Sequence, residues 1–500
     1  MEREKGRLRK EIWMTAMLWI AASIAFFLVL RSVELSDGDD TYFYYCARSM
    51  GFFEYLSWRY QTWVGRMAGE ALVYLVFRSN IWVWRLLNAC MMVLLPAGVL
   101  RLGCKAAGYR DYSALLAEKD VGRSPLSGIR YPFFLLTGYL LMNVMTVGYA
   151  AIWMNGSIFY TWTFTAGIWA MMPLADAVFG TGSFSAWQLL YALPCSVVAA
   201  MSIEQMGAVL LAFEVLSFVA VVFSCRAGKD KKAATCILVQ FAVTAVCFAL
   251  LFHAPGNAVR VETEIATWMP GYREMTFVEH LFLAAQWMLS SFAKENRLLF
   301  AGIWMAGIVL LGNKEELPVH NLLRKKSSEM VHQTEGRQNG YGNRIWQLIA
   351  GIFVVVAVLP YIGIYAFEEM GNGTIIAEEC LLQIPVWQDM TAQNRLAFFW
   401  WIAAVVFTVA FLWKVTGHSM FLLFVYAGGI ASEAIMFFSP TIYASGARVF
   451  YLTDWMFLFL ILWMVMRFDS RKRQNLFIAG AAVAGVWNFL SQYGAMPLHL

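Results

Sequence analysis

Three carboxylates, Asp37, Asp39 and Asp40, fall within the five residues SDGDD, directly after the first long apolar run and ahead of an aromatic stretch carrying Arg48, Arg59 and Arg66. Acidic groups at the mouth of a membrane span are costly near lipid unless they face water, a partner or a substrate. A carboxylate there could take a proton from an acceptor hydroxyl. The cluster could also hold a divalent cation, Mg²⁺ or Mn²⁺, because hard oxygen ligands suit both ions. A helix cap is the plain alternative, since an Asp before a helix pairs with free N–H groups and complements the dipole. One Asp is enough for a cap, and aromatic residues follow rather than an ordinary amphipathic run. Asp40 is therefore the leading candidate for a catalytic base, with Asp39 beside it.

Other polar groups that could serve the same chemistry recur in short motifs along the chain. They are Trp63 and Arg66 in YQTWVGR, Tyr160 in WMNGSIFY, and Glu204 and Gln205 in SIEQMG. His253, Asn257 and Arg260 lie in HAPGNAVR, and Arg448 ends SPTIYASGAR. A guanidinium can hold a phosphate through paired hydrogen bonds. Arg260 and Asn257 follow Pro255 and Gly256, which break a helix and free backbone N–H groups for an anion. Arg448 is the lone outer-side cation after Leu396; it would hold a phosphate or reach for headgroups. Glu204 is a binding group or a carboxylate in a tight turn, and His253 a functional site group or a hydrogen-bonded helix end. Trp58, Trp63, Trp153 and Trp162 would stack on a sugar or belong to the interfacial belt.

The elements that must position these groups are membrane helices. The chain is 60% hydrophobic and only 14% charged, with 21 Trp and 38 Phe among 500 residues. Apolar runs of about 20 residues, the thickness of a bilayer core, recur throughout. The expected fold is an all-α integral membrane protein of about 13 spans. Lys and Arg concentrate in alternate loops, which places the N-terminus in the cytoplasm and the C-terminus outside the cell membrane. The net charge of +5 thus reports topology rather than binding to nucleic acid. Residues 1–312 form an N-terminal module with a first outer loop over 31–80, where Met50–Phe77 reads as amphipathic surface helices. A polar cytoplasmic linker at 313–344 precedes a C-terminal module over 345–500. The run Ile12–Leu30 reads as a retained signal anchor.

The eight cysteines form no CxxC pair and no Cys/His metal spacing. Cys46 and Cys380 share the outer side and could pair. No repeat is visible, and Arg85, Glu214, Glu433 and Asp454, with Asp176 near an end, are the main ionisable residues within the spans. A transporter or flippase of lipid-linked saccharides would need more of them along a path. An enzyme is the better expectation; a non-catalytic envelope-assembly protein is the third reading.

In their shared order and sidedness, DGDDTYF, YQTWVGR, WMNGSIFY, SIEQMG, HAPGNAVR and SPTIYASGAR resemble a bacterial glucosyltransferase-like family of the GT-C class. The likeness runs from about residue 12 to 466, and the class carries an acidic motif in its first outer loop, as Asp39-Asp40 does here. The resemblance implies a polyprenyl-phosphate-linked sugar donor, a glycan, polymer or lipid acceptor, and catalysis on the extracytoplasmic face. It also implies Asp40 or Asp39 as base and Arg260 or Arg448 as ligand of the donor phosphate. No large soluble domain follows the last expected span, so acceptor recognition by such a domain is not expected.

Overall fold

A computed structural model describes residues 2–119, 127–223, 231–313, 339–367 and 391–492. Helix α1 (Glu2–Leu30) leads into three short helices, α2 (Asp39–Ser49), α3 (Phe52–Thr62) and α4 (Met67–Arg78). Then come α5 (Ile81–Ala106), α6 (Tyr112–Lys119), α7 (Arg130–Leu141), α8 (Val144–Val147), α9 (Met154–Ser157), α10 (Thr163–Phe179), α11 (Ala186–Ala200), α12 (Glu204–Phe223) and α13 (Lys231–Phe252). The remainder is α14 (Pro255–Trp268), α15 (Phe277–Lys294), α16 (Arg297–Leu311), α17 (Asn339–Phe367), α18 (Ala392–Val415), α19 (Met420–Ala434), α20 (Tyr451–Met466) and α21 (Arg471–Gln492). No strand occurs among the described residues.

Seven of these helices, α1, α5, α12, α13, α18, α19 and α20, are long and apolar enough to cross a bilayer, which makes this an all-α, multi-pass membrane protein. Helix α1 shows lipid a stripe of Trp13, Met17, Ile20, Ile24 and Leu28, spaced three or four residues apart. Helix α20 is the opposite case. It is apolar all round and buried along its length against α5, α7, α16, α19 and α21, as a bundle's central helix must be.

The stretch expected to span the membrane as Tyr131–Ile152 is broken. Helix α7 ends at Leu141, and the Asn143 side chain caps α8 by accepting from the Met145 N–H at 2.8 Å. The two pieces meet at 103°. If they form one crossing, the count of candidate spans rises to eight. Two π-helical turns, Gly148–Ile152 and Ile158–Trp162, then flank α9. The WMNGS stretch, Trp153–Ser157, is a buried helical segment rather than a simple turn between two spans.

Residues 31–80, expected to form an outer loop with short helices over Met50–Phe77, fold into α2, α3 and α4, and a buried ion pair joins the last two. Glu70 on α4 accepts from the Tyr55 hydroxyl at 2.6 Å and from Arg59 Nη2 at 2.7 Å, both on α3. The Arg59 guanidinium also lies over the rings of Phe43, Trp58 and Trp63. Arg85 donates to the Val33 carbonyl at 2.7 Å, tying α5 to the start of this loop. Asp176 pairs with Lys105 at the opposite end of the bundle. Most of the expected linker at 313–344 and of the acidic loop Glu368–Arg395, including Cys380, lies outside the described residues.

Candidate functional site

Helix α2 starts at Asp39, so its two first residues point about 100° apart. Asp39 faces out and is exposed, as is Asp37, whereas Asp40 is completely buried. One carboxylate oxygen of Asp40 accepts from the Ser36 N–H and the other from the Asn155 N–H, each at 3.2 Å. Ser36 is locked in turn, because its carbonyl accepts the Thr41 hydroxyl at 2.8 Å. Burial pushes the Asp40 carboxyl up from 3.8 to about 6, against the pull of those two N–H groups, and the charge on Asp39 adds to the rise. A base poised near the working pH is the efficient kind.

Around Asp40 stand groups brought from far along the chain. Trp153 Nε1 donates to the Ser36 hydroxyl at 3.3 Å, and the Arg448 guanidinium lies over the Trp153 ring, 5.3 Å from its centroid. Arg448 sits in the short helical turn Ala447–Phe450 that leads into α20. Gly446 before it takes a φ of +65°, a left-handed conformation that favours glycine. Among the described residues the Arg448 side chain has no carboxylate partner and no hydrogen bond, so its donors are free for an anion. The Asn155 side-chain oxygen is buried without a partner. Gly156 beside it is sterically required, since a Cβ there would lie 1.9 Å from the Tyr149 carbonyl oxygen.

The other expected site residues form a second cluster that shares the WMNGSIFY segment. Arg66 pairs bidentately with Glu204, at 3.1 and 2.8 Å, and Arg260 Nε meets Glu264 at 2.7 Å. Burial, and then the neighbouring Arg66, push Arg260 below the ordinary arginine range. Tyr160, five residues beyond Asn155, is buried close to Arg66. Two guanidiniums and two carboxylates leave this group without net charge. It fastens loops together more readily than it attracts a phosphate.

Asn257 is a fastening residue as well. Its side chain accepts the Gly65 N–H at 3.2 Å and donates to the carbonyls of Leu251 and Phe252 at 2.7 and 3.2 Å. Trp63 packs its backbone on Gly256, where a Cβ would come within 2.3 Å of the Trp63 nitrogen. His253 is exposed, and its Nδ1 lies 2.8 Å from the Ala249 carbonyl, the arrangement of a helix end. Gln205 is buried and donates to the carbonyls of Ser432 and Val449 at 3.2 and 3.0 Å, which fixes the backbone next to Arg448.

Of the expected residues, then, Asp40 and Arg448 share one locus, while Arg66, Tyr160, Glu204 and Arg260 share its neighbour. Sequence reasoning missed Ser36 and Asn155 as partners of Asp40. The partial signal was the asparagine of WMNGS, a polar residue within an apolar run. Asp37, Asp39 and Asp40 do not converge, and no group of three His, Cys, Asp or Glu residues among the described ones could hold a metal. The SDGDD carboxylates therefore do not by themselves fit a divalent cation. No protein-family model, no curated protein and no solved structure matches this chain.

Proposed function

We propose that the chain is a membrane glycosyltransferase, moving a sugar from a polyprenyl-phosphate donor to a glycan, polymer or lipid of the cell envelope. The observation that carries this reading is the buried, pKa-raised carboxylate of Asp40 near an uncompensated guanidinium, Arg448, with Trp153 between them. The resemblance to GT-C enzymes supports it, as does the gathering of Asp40, Arg66, Glu204 and Arg448 at the ends of helices on one side of the bundle. About 13 spans, a cytoplasmic N-terminus and an extracytoplasmic site complete the proposal.

In this reading Asp40 accepts the proton of the acceptor hydroxyl as its oxygen bonds to the anomeric carbon of the donor. The bond from that carbon to the phosphate oxygen breaks, and its electron pair stays with the phosphate. Arg448 receives the charge that develops there through charge-assisted hydrogen bonds. The two backbone N–H groups hold Asp40 in place, and the free Asn155 oxygen is available to a sugar hydroxyl. The indole of Trp153 offers a flat apolar surface beside them. The test is the envelope glycan of a strain carrying Asp40→Asn at normal protein level. Loss of one glycan or glycolipid is expected, and an unchanged envelope would refute the assignment.

A further inference from the structure

A second site lies away from these residues, on the lipid-facing side of the bundle. Helices α7, α16 and α21 border a cavity of about 670 Å³ that runs along α16 from Leu298 to Gly312. Its walls are hydrocarbon except at one end, where Arg473 closes it. Leu476 and Met305 on the rim are exposed, so the cavity opens on the outer surface of the bundle. Small residues of membrane helices normally let two backbones approach. Gly485 of α21 does so against Leu140, but Gly480 faces space instead: a Cβ added there would meet no atom within 4 Å.

The basic end has a specific chemistry. Arg473 uses a single nitrogen, Nη1, to bond the Gly312 carbonyl at 3.0 Å and Asp469 at 3.1 Å. Its Nε and Nη2, three N–H donors in a planar fork, make no hydrogen bond among the described residues. Lys472 is exposed beside it. A dry groove at hydrocarbon depth offers nothing to water or a polar ligand. A basic pocket between membrane helices suits a phosphate headgroup.

We propose that this groove is a binding site for an anionic phospholipid, with one acyl chain along α16 and α21 and the phosphate on the free edge of Arg473. The site is independent of the transfer chemistry proposed above. Arg473 is paired with Asp469 through Nη1 alone, so the exposed Lys472 leaves this end with a net positive charge for the phosphate, and hydrocarbon along the rest takes the chain.

The test is retention of lipid by the full chain, purified in detergent and washed with a phosphatidylglycerol and phosphatidylcholine mixture, read by native mass spectrometry. The wild type is expected to keep about one phosphatidylglycerol in preference to phosphatidylcholine. Gly480→Leu, which puts a side chain into the open space and favours the helix, should lower retention about tenfold, a change that two unburied methylenes would match. Arg473→Gln should keep a lipid but lose the preference for the anionic one. Thermal unfolding of lipid-free Gly480→Leu, expected at or slightly above that of the lipid-free wild type, shows that the loss is local. Equal retention by wild type and Gly480→Leu, no preference for phosphatidylglycerol, or displacement of the phospholipid by an added polyprenyl phosphate would each overturn the proposal.

Discussion

Asp40 should make this protein less stable when it ionises, and Asp40→Asn should remove that penalty. The folded-state pKa of about 6 lies above the ordinary 3.8, so folding favours the protonated acid. Stability from this group is fully present below about pH 4 and is lost as the pH rises through about 6. A rise of that size is worth about 3 kcal/mol. Asparagine keeps an acceptor for one of the Ser36 and Asn155 N–H groups, and protonated aspartic acid keeps one full carbonyl acceptor and a weaker hydroxyl one, so the two are closely matched at low pH. The two proteins should therefore unfold together near pH 4.5. At pH 8 the variant should be ahead by about 2–3 kcal/mol, on the order of 5 °C in a thermal melt in detergent. The same substitution is expected to abolish activity, the trade that marks a residue kept for function. A stability difference that stays flat between those pH values, or a variant less stable at pH 8, would refute the burial argument.

The remaining predictions separate binding groups from fasteners. Arg448→Gln should raise the KM for a polyprenyl-phosphate donor by about 10- to 100-fold and leave thermal unfolding nearly unchanged, because its contact is one ring. Arg260→Gln should do the reverse, lowering the melting temperature slightly with little change in KM, because its partner is Glu264. Glu70→Ala strands Arg59 and the Tyr55 hydroxyl in the interior and should cost about 3–5 kcal/mol, seen as lost protein in membranes. Tyr55→Phe should cost only about 1 kcal/mol by the same measure. Asn257→Ala frees a backbone N–H and two carbonyls at one junction and should cost about 1–3 kcal/mol, with faster proteolysis in residues 31–80.

The long apolar helices were legible because their runs match a bilayer, and α3 and α4 because Met50–Phe77 is aromatic-rich and amphipathic, whereas α2 was not foreseen as a helix. Within SDGDD Asp40 stood only slightly ahead of Asp39. Which one is buried depends on where α2 starts, and Gly38 decides that by remaining outside the helix. The bend after Leu141 was hidden in an unbroken apolar run, since Met142 and Asn143 look like ordinary span residues. The choice between Arg260 and Arg448 was half legible. Glu264 stands four residues after Arg260, the spacing of a helical ion pair, and could have been counted against it. The pairing of Arg66 with Glu204 spans 138 residues and had no local signal.

The most direct test of the account is release of polyprenyl phosphate from polyprenyl-phosphate hexoses by the protein reconstituted in liposomes, with wild type, Asp40→Asn and Arg448→Gln compared. The account predicts acceptor-dependent release by the wild type that climbs as the pH passes about 6. It also predicts a fall of about 100-fold or more in Asp40→Asn. Release by Asp40→Asn at the wild-type rate, or none from the wild type with any hexose donor and envelope acceptor, would contradict it.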